Sequence, residues 1–331
     1  MKPEKLLEME AAIAADYSNI AGMVVLKNGN TVYENYFGGC TRESRFHVFS
    51  VTKSIVSILF GIALDKGYLD SIDRKVLDFY PDYTVKRGEK AIEHITIRDI
   101  LTMTAPYKYR STPYTGYFSS PDWVKFSLDV LGGKGQIGAF RYAPLIGPDI
   151  LTGILAKATG QSVLDFASNN LFAPLGITVE RSVTFHSKEE LMAFYKASDM
   201  SVWAADPQGI NAGGWGLTLS PVDMASIGEL IRNGGMCNGT RIVSEKWVCE
   251  STSEQSRWAE RDLPYGYLWW VLDQECSCAA IGDGGNIIYV NPAKNMVAAI
   301  ASRFQPRVKD RIELIRKYVE PVFDENALGN G

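Results

Sequence analysis

Two residues in the run HVFSVTKSIVSILFGIAL, which begins at His47, have the types and spacing for covalent chemistry. Ser50 offers a hydroxyl that can attack a carbonyl. Lys53 places one ammonium in a run that is otherwise almost wholly apolar, where burial is costly unless the group finds a partner or gives up its proton. Three residues apart on a helix, the two side chains share a face. Ser50 also stands where the helix should begin, and there unpaired backbone N–H groups and the helix dipole stabilise negative charge. That suits both a serine alkoxide and an oxyanion on the carbon it attacks. A lysine that shares its proton with a serine is a general way to activate a nucleophile. The pair is the only S-x-x-K in the chain. The structural alternative is a lysine that snorkels or pairs with an acid.

Other chemical signals are weaker. The letters GKGQIG from Gly133 to Gly138 fit a dinucleotide-loop pattern, but they follow a helical segment and open no helix. No G-x-S-x-G occurs, which argues against a nucleophile elbow. His47, His94 and His186 lie far apart, so a histidine triad or histidine metal site has little support, and Cys276-x-Cys278 is too closely spaced for zinc. Neither a cofactor nor a metal is expected.

The elements around Ser50 and Lys53 are legible. Residues 3–19 read as an amphipathic helix with Leu6, Met9, Ile13 and Tyr17 on one stripe. Asn28-Gly29 between two β-rich runs is a hairpin signal. The helix from Ser50 runs to about Lys66, with Gly67 closing it. Ser220 caps a helix with Pro221 at its first position and Gly234 as its stop. GPDILTGILAKATG is a further helix between glycines. Strands return as YGYLWWVLD, CAAIG, NIIYVN and NMVAAIAS, and the run from Arg307 to Phe323 forms a closing helix. Strands at both ends with helices between give an α+β fold: one antiparallel sheet covered by the first, second and last helices. Residues 1–70 and 264–331 would form the sheet part and residues 71–263 a mostly helical part, with a site in the cleft between them. Trp269 and Trp270 adjoin on a strand and should face opposite sides, one towards the core and one towards the cleft. Tyr107, Tyr109 and Trp215 are further candidates for the cleft wall.

Composition bounds the partners. The 331 residues are 46% hydrophobic, enough for a large core. A net charge of −4 with no long basic run excludes nucleic acid as the expected main partner. No stretch of 18 apolar residues suggests a membrane span. The N-terminal run lacks the apolar stretch of a signal peptide, and the five cysteines are scattered and odd in number. A cytoplasmic protein with free thiols is expected. The oligomeric state is not legible.

At this level the chain resembles the serine β-lactamase and penicillin-binding protein superfamily, nearest its class C β-lactamase and esterase branch. The resemblance rests on FHVFSVTKSIVSILFGIALDKGYLDSIDRKVLDFYPDY, ITIRDILTMT, FRYAPLIGPDILTGILAKATGQSVLDFASNNLFAPLGI, GGWGLTLSPVDMASIGELIRNGG and YGYLWWV. It implies the β-lactamase/DD-peptidase-like fold and acyl-enzyme chemistry on a small-molecule ester or amide. Ser50 would be the acylated nucleophile and Lys53 its proton partner. Tyr142, opening the second motif as Tyr142-Ala143-Pro144, would be the base or proton shuttle, with Lys53 as the cation it needs. The third motif would be Asp283-Gly284-Gly285, and the N–H groups of Asn286 and Ser50 would form the oxyanion hole.

Two departures bear on the substrate. Pro144 replaces a side-chain amide of the family pattern, and two extra residues follow before the next helix. Asp283 stands where the family usually carries Lys or His, a cation that binds the substrate carboxylate in β-lactamases. An aspartate would repel that group unless Arg141 or Arg303 screened it. Neutral or cationic esters or amides are therefore expected ahead of β-lactams, and D-amino-acid peptides last, since peptidoglycan lies outside the membrane and no export signal is read. A non-catalytic binding or sensor protein on the same scaffold is the alternative from another class.

Overall fold

A computed structural model describes residues 3–273 and 276–323. The elements that position the site are, in chain order, α1 (Pro3–Asp16), β1 (Ile20–Lys27), β2 (Asn30–Tyr36), α2 (Val51–Asp65), α3 (Ile146–Thr159) and α4 (Pro221–Arg232). Then follow β3 (Ser256–Trp258), β4 (Leu263–Tyr265), β5 (Trp270–Val271), β6 (Cys278–Gly282), β7 (Asn286–Asn291) and β8 (Met296–Ser302). A last helix runs from Arg311 to Phe323 through a π-helical stretch at Ile315–Val319.

The eight strands form one sheet in the order β2-β1-β8-β7-β6-β5-β4-β3, antiparallel throughout. The two ends of the chain meet where β1 pairs with β8, from Lys27 opposite Met296 to Ile20 opposite Ser302. The hairpin turn has positive φ at both Asn28 (52°) and Gly29 (79°), as its sequence demands. On the outer face, Met9 and Ile13 of α1 pack with Met23, Val25, Ile287, Tyr289 and Leu314. On the inner face, α2 and α4 share one core with Val24, Ala280, Ile288, Val290 and Val297.

Several boundaries differ from the sequence expectation. The sheet takes in residues from Ser256 rather than 264: β3 is a short, partly exposed edge strand and β4 the short strand beside it, and Arg257 in the one and Pro264 in the other hide the strand pattern. Helix α4 lies within the stretch expected to belong to the helical part, yet it covers the sheet, because Gly228 has only hydrogen where a Cβ would sit 2.5 Å from Val297. Helix α1 ends at Asp16, and the last helix starts after Asp310, whose carboxylate accepts from the Ile312 N–H at 2.7 Å. The rest of the middle region holds short helices and two two-stranded pairs, and a third pair joins Thr218–Leu219 to Phe46–His47.

Candidate active site

Helix α2 is the axis of the site. All its residues from Val51 to Ala63 are buried, which accounts for a run too apolar to read as a surface helix. Lys66 ends it, and Gly67 turns the chain away at φ 74°. The segment leading in is clamped: Phe46–His47 pairs with Thr218–Leu219, and the Val48 N–H donates to Leu217 O at 2.9 Å. Phe49 then takes φ 48°, a left-handed conformation that costs a non-glycine residue about 1–3 kcal/mol and must be held by its surroundings. Its ring is held against His47, Tyr195 and Phe304, with centroids 3.9, 5.3 and 5.1 Å away.

That bend delivers Ser50 to the helix N-cap with its hydroxyl unspent, since the side chain caps nothing. Lys53 Nζ donates to Ser50 Oγ at 2.7 Å and to Gly214 O at 3.2 Å. Lys53 is 1% exposed while Ser50 remains partly exposed. Among the described residues no carboxylate lies within salt-bridge distance of Lys53, so neither snorkelling nor an ion pair accounts for its burial. Its ammonium instead stands 5.2 Å from the centre of the Tyr142 ring. Tyr142 is half-buried and packs against Trp270 at 5.6 Å and Tyr265 at 6.5 Å. Trp269 is fully buried and lies just before β5, which begins at Trp270; the chain turns at Leu268 (φ 61°), so the expected strand through both tryptophans is broken there, although one is core and the other lies beside Tyr142.

The Tyr142-Ala143-Pro144 loop is pressed onto a second backbone segment. A Cβ on Gly213 would fall 2.0 Å from Pro148 O, and one on Gly214 would fall 2.7 Å from Pro144 O. Only glycines allow this approach, and it places the Gly214 carbonyl within reach of Lys53.

The third-motif stretch is split by the fold. Gly282, at the end of β6, lies against the Val48–Ser50 turn: a Cβ there would be 2.1 Å from Val48 O and 3.2 Å from Ser50 N. Asp283 follows it and is exposed. Gly284 (φ 76°) and Gly285 (φ 87°) turn away from Ser50, towards Phe304 and Arg311 respectively. Asn286 is fully buried, and its side chain ties the turn together: Nδ2 donates to Asp283 O at 2.8 Å and His47 O at 3.4 Å, and Oδ1 accepts from the Ser302 N–H at 3.0 Å. Of this stretch it is thus Gly282, which the sequence pattern did not single out, that is packed against the Ser50 amide.

Neither arginine expected to screen Asp283 is turned to it. Arg141 donates to Tyr107 O at 2.6 Å and to Tyr109 O, and covers both rings. Arg303 donates to Gly38 O at 2.5 Å and Cys40 Sγ at 2.9 Å. Tyr107 and Trp215 are buried rather than lining a cleft, whereas Tyr109 is half-buried. His47 is buried and neutral: desolvation pushes it down to about 3, and its Nε2 accepts from the Gly216 N–H at 2.9 Å. All five cysteines are free. No group of metal-ligating residues occurs among the described residues, nor a helix long and apolar enough to cross a membrane.

Serine and lysine one helical turn apart, a tyrosine beside the lysine and the end of a central strand against the serine define a class of protein that the comparisons make explicit. The family described as Beta-lactamase matches residues 10–320, and the chain belongs to it. A 6-aminohexanoate-dimer hydrolase from Paenarthrobacter ureafaciens is 23% identical over 83% of this chain and 70% of its own. Among solved structures, a family VIII carboxylesterase aligns with a TM-score of 0.70 at 16% identity, covering 96% of this chain and 98% of that one. An octameric penicillin-binding protein homologue from Pyrococcus abyssi aligns at 0.71 and 18%, covering 96% and 77%. These likenesses bear out the α+β fold and the superfamily resemblance.

Proposed function

We propose that the protein is a serine hydrolase that cleaves small neutral or cationic esters or amides through an acyl-enzyme on Ser50. The observation that carries this reading is the 2.7 Å contact between Ser50 Oγ and a buried Lys53 Nζ that has no acid partner within salt-bridge distance. A buried ammonium costs several kcal/mol, and here its hydrogen bonds go to Gly214 O and to the one hydroxyl beside it that can react, Ser50 Oγ. Ser50 Oγ bonds to the carbonyl carbon while Lys53 passes a proton to Tyr142 and takes the hydroxyl proton in its place. Tyr142 then protonates the leaving oxygen or nitrogen as its bond to the carbonyl carbon breaks, and water adds to the acyl carbon, breaking the bond to Oγ, returning a proton to Ser50 and releasing the acid. The developing oxyanion takes the Ser50 N–H, for which no acceptor occurs among the described residues, and a backbone N–H at the Gly282–Asp283 junction. Asn286 braces that junction instead of donating directly. The substrate class follows from Asp283, exposed beside the nucleophile turn with Arg141 and Arg303 engaged elsewhere; an anionic substrate would meet an unscreened carboxylate.

A fluorophosphonate probe tests the assignment. It should label wild type and leave Ser50→Ala unlabelled, and p-nitrophenyl esters should be turned over only by wild type. Folded wild type that neither labels nor hydrolyses would favour a binding protein on this scaffold.

A further inference from the structure

One buried carboxyl takes no direct part in that chemistry. Asp149 sits in the first turn of α3, is 1% exposed and follows Gly147-Pro148 in an otherwise apolar run. Its Oδ1 accepts from the Gly213 N–H at 2.7 Å. Its Oδ2 is buried without a hydrogen-bond partner. Leaving a buried carboxyl oxygen unpaired is destabilising, so this acid is not explained by packing.

Resting on the reading of Ser50 and Lys53 as the reacting pair, we propose that Asp149 is a positioning residue, whose carboxyl holds the Gly213–Gly214 backbone so that the Gly214 carbonyl aims the Lys53 amine at Ser50. Three contacts carry this. Asp149 grips Gly213, Gly214 receives Lys53, and Lys53 reaches Ser50. The glycines are jammed against Pro144 and Pro148, so the segment has little freedom once Asp149 holds it. The same grip fixes the loop that carries Tyr142, because that loop is the other wall of the contact.

The groups facing Asp149 come from every packed element. Tyr117 lies close enough to favour the anion without meeting hydrogen-bond geometry, and its hydroxyl accepts from Trp215 Nε1 at 3.0 Å. Asp206 opposes the anion, and Lys53 favours it. Asp206 is itself satisfied by the N–H groups of Trp123, Gln208 and Ile210. Burial is the largest influence on Asp149 and pushes it up to about 7, so its charge changes near neutral pH.

The test compares wild type with Asp149→Asn and Asp149→Ala, using the fluorophosphonate labelling rate and the pH profile of kcat/KM for a neutral p-nitrophenyl ester. Asparagine can keep the acceptor for Gly213 but carries no charge; alanine removes both. We expect Asp149→Ala to label 10- to 100-fold more slowly, the scale of a misplacement near 1 Å, with KM little changed. Asp149→Asn should recover most of that rate at pH 5.5 and lack the inflection near pH 7 expected of wild type. A merely structural role would leave the inflection in place in both. Unchanged labelling in Asp149→Ala, or an Asp149→Asn profile that keeps the inflection, would overturn the proposal. If Asp149→Ala does not fold, the Asp149→Asn profile decides alone. Labelling that survives Ser50→Ala would instead refute the reading of the reacting pair, so the two failures are distinct.

Discussion

Lys53→Met separates chemistry from stability. Methionine keeps an unbranched stem in the buried helix and removes only the ammonium. In wild type the ammonium makes two hydrogen bonds, to Ser50 Oγ and Gly214 O. Bonds to a charged group contribute about 1.5–3 kcal/mol each, so together about 3–6 kcal/mol. Against this stands the desolvation of a charge that is 1% exposed and has no acid within salt-bridge distance, a cost of several kcal/mol. The substitution also strands Gly214 O, at about 1–3 kcal/mol, while Ser50 is exposed enough to turn to water. These opposing terms nearly cancel, so the unfolding free energy from urea titration should move by no more than about 2 kcal/mol in either direction. Ester hydrolysis should fall by about 10²–10⁴-fold, the usual worth of a positioned proton-transfer group. Activity within tenfold of wild type would refute the role of Lys53 in the chemistry. Destabilisation beyond about 4 kcal/mol would show that the lysine is a structural prop, a size of effect confined to the loss of major core interactions.

Other substitutions probe the same site. Gly282→Ala puts a Cβ 2.1 Å from Val48 O; a displacement of roughly 1 Å should cost about 10²-fold in kcat/KM with the fold intact by circular dichroism, and near-normal activity would mean that β6 does not help form the site. Asp283→Lys should raise kcat/KM for an anionic ester relative to its neutral isostere by about tenfold, the worth of roughly 1.4 kcal/mol for a charge reversal at an exposed position, with the gain shrinking in high salt; a ratio that does not move would place Asp283 away from the substrate. His47 is held at about 3 by burial, against an ordinary value of 6.5. The unfolded chain therefore binds the extra proton first. The stability from His47 is complete above about pH 6.5 and is lost as the pH falls towards 3. A His47→Gln variant that still folds should show a shallower acid limb in its urea midpoints, and an identical limb would contradict the burial of a neutral ring.

Ser50 and Lys53 were legible because an ammonium at the mouth of an apolar helix is costly unless it acts on a neighbour, and helical spacing alone brings the serine to the same face. The same reasoning could have found Asp149, a carboxylate in the apolar run GPDILTGIL, but its helix gives it no chemical partner at short range. Gly282 was hidden for another reason. Its neighbours Gly284 and Gly285 carry the more conspicuous glycine signal, whereas the need for glycine at Gly282 comes from Val48, more than 200 residues away in the chain. The edge strand β3 and its neighbour β4 escaped because three-residue strands, one carrying Arg257 and the other Pro264, are too short to show the alternation that marks the central ones.

Sequence alone determined the local events: where α2 starts and stops, the Asn28-Gly29 hairpin, the capped start of α4, and the serine–lysine face. These depend on φ/ψ preferences and on spacings of three or four residues. Only the tertiary structure decided which backbone meets that face. Gly214 O, Gly282 and the Tyr142 ring reach Ser50 and Lys53 from three distant segments, held there by close glycine contacts. Such contacts are set by packing between elements, and no periodicity within one element records them.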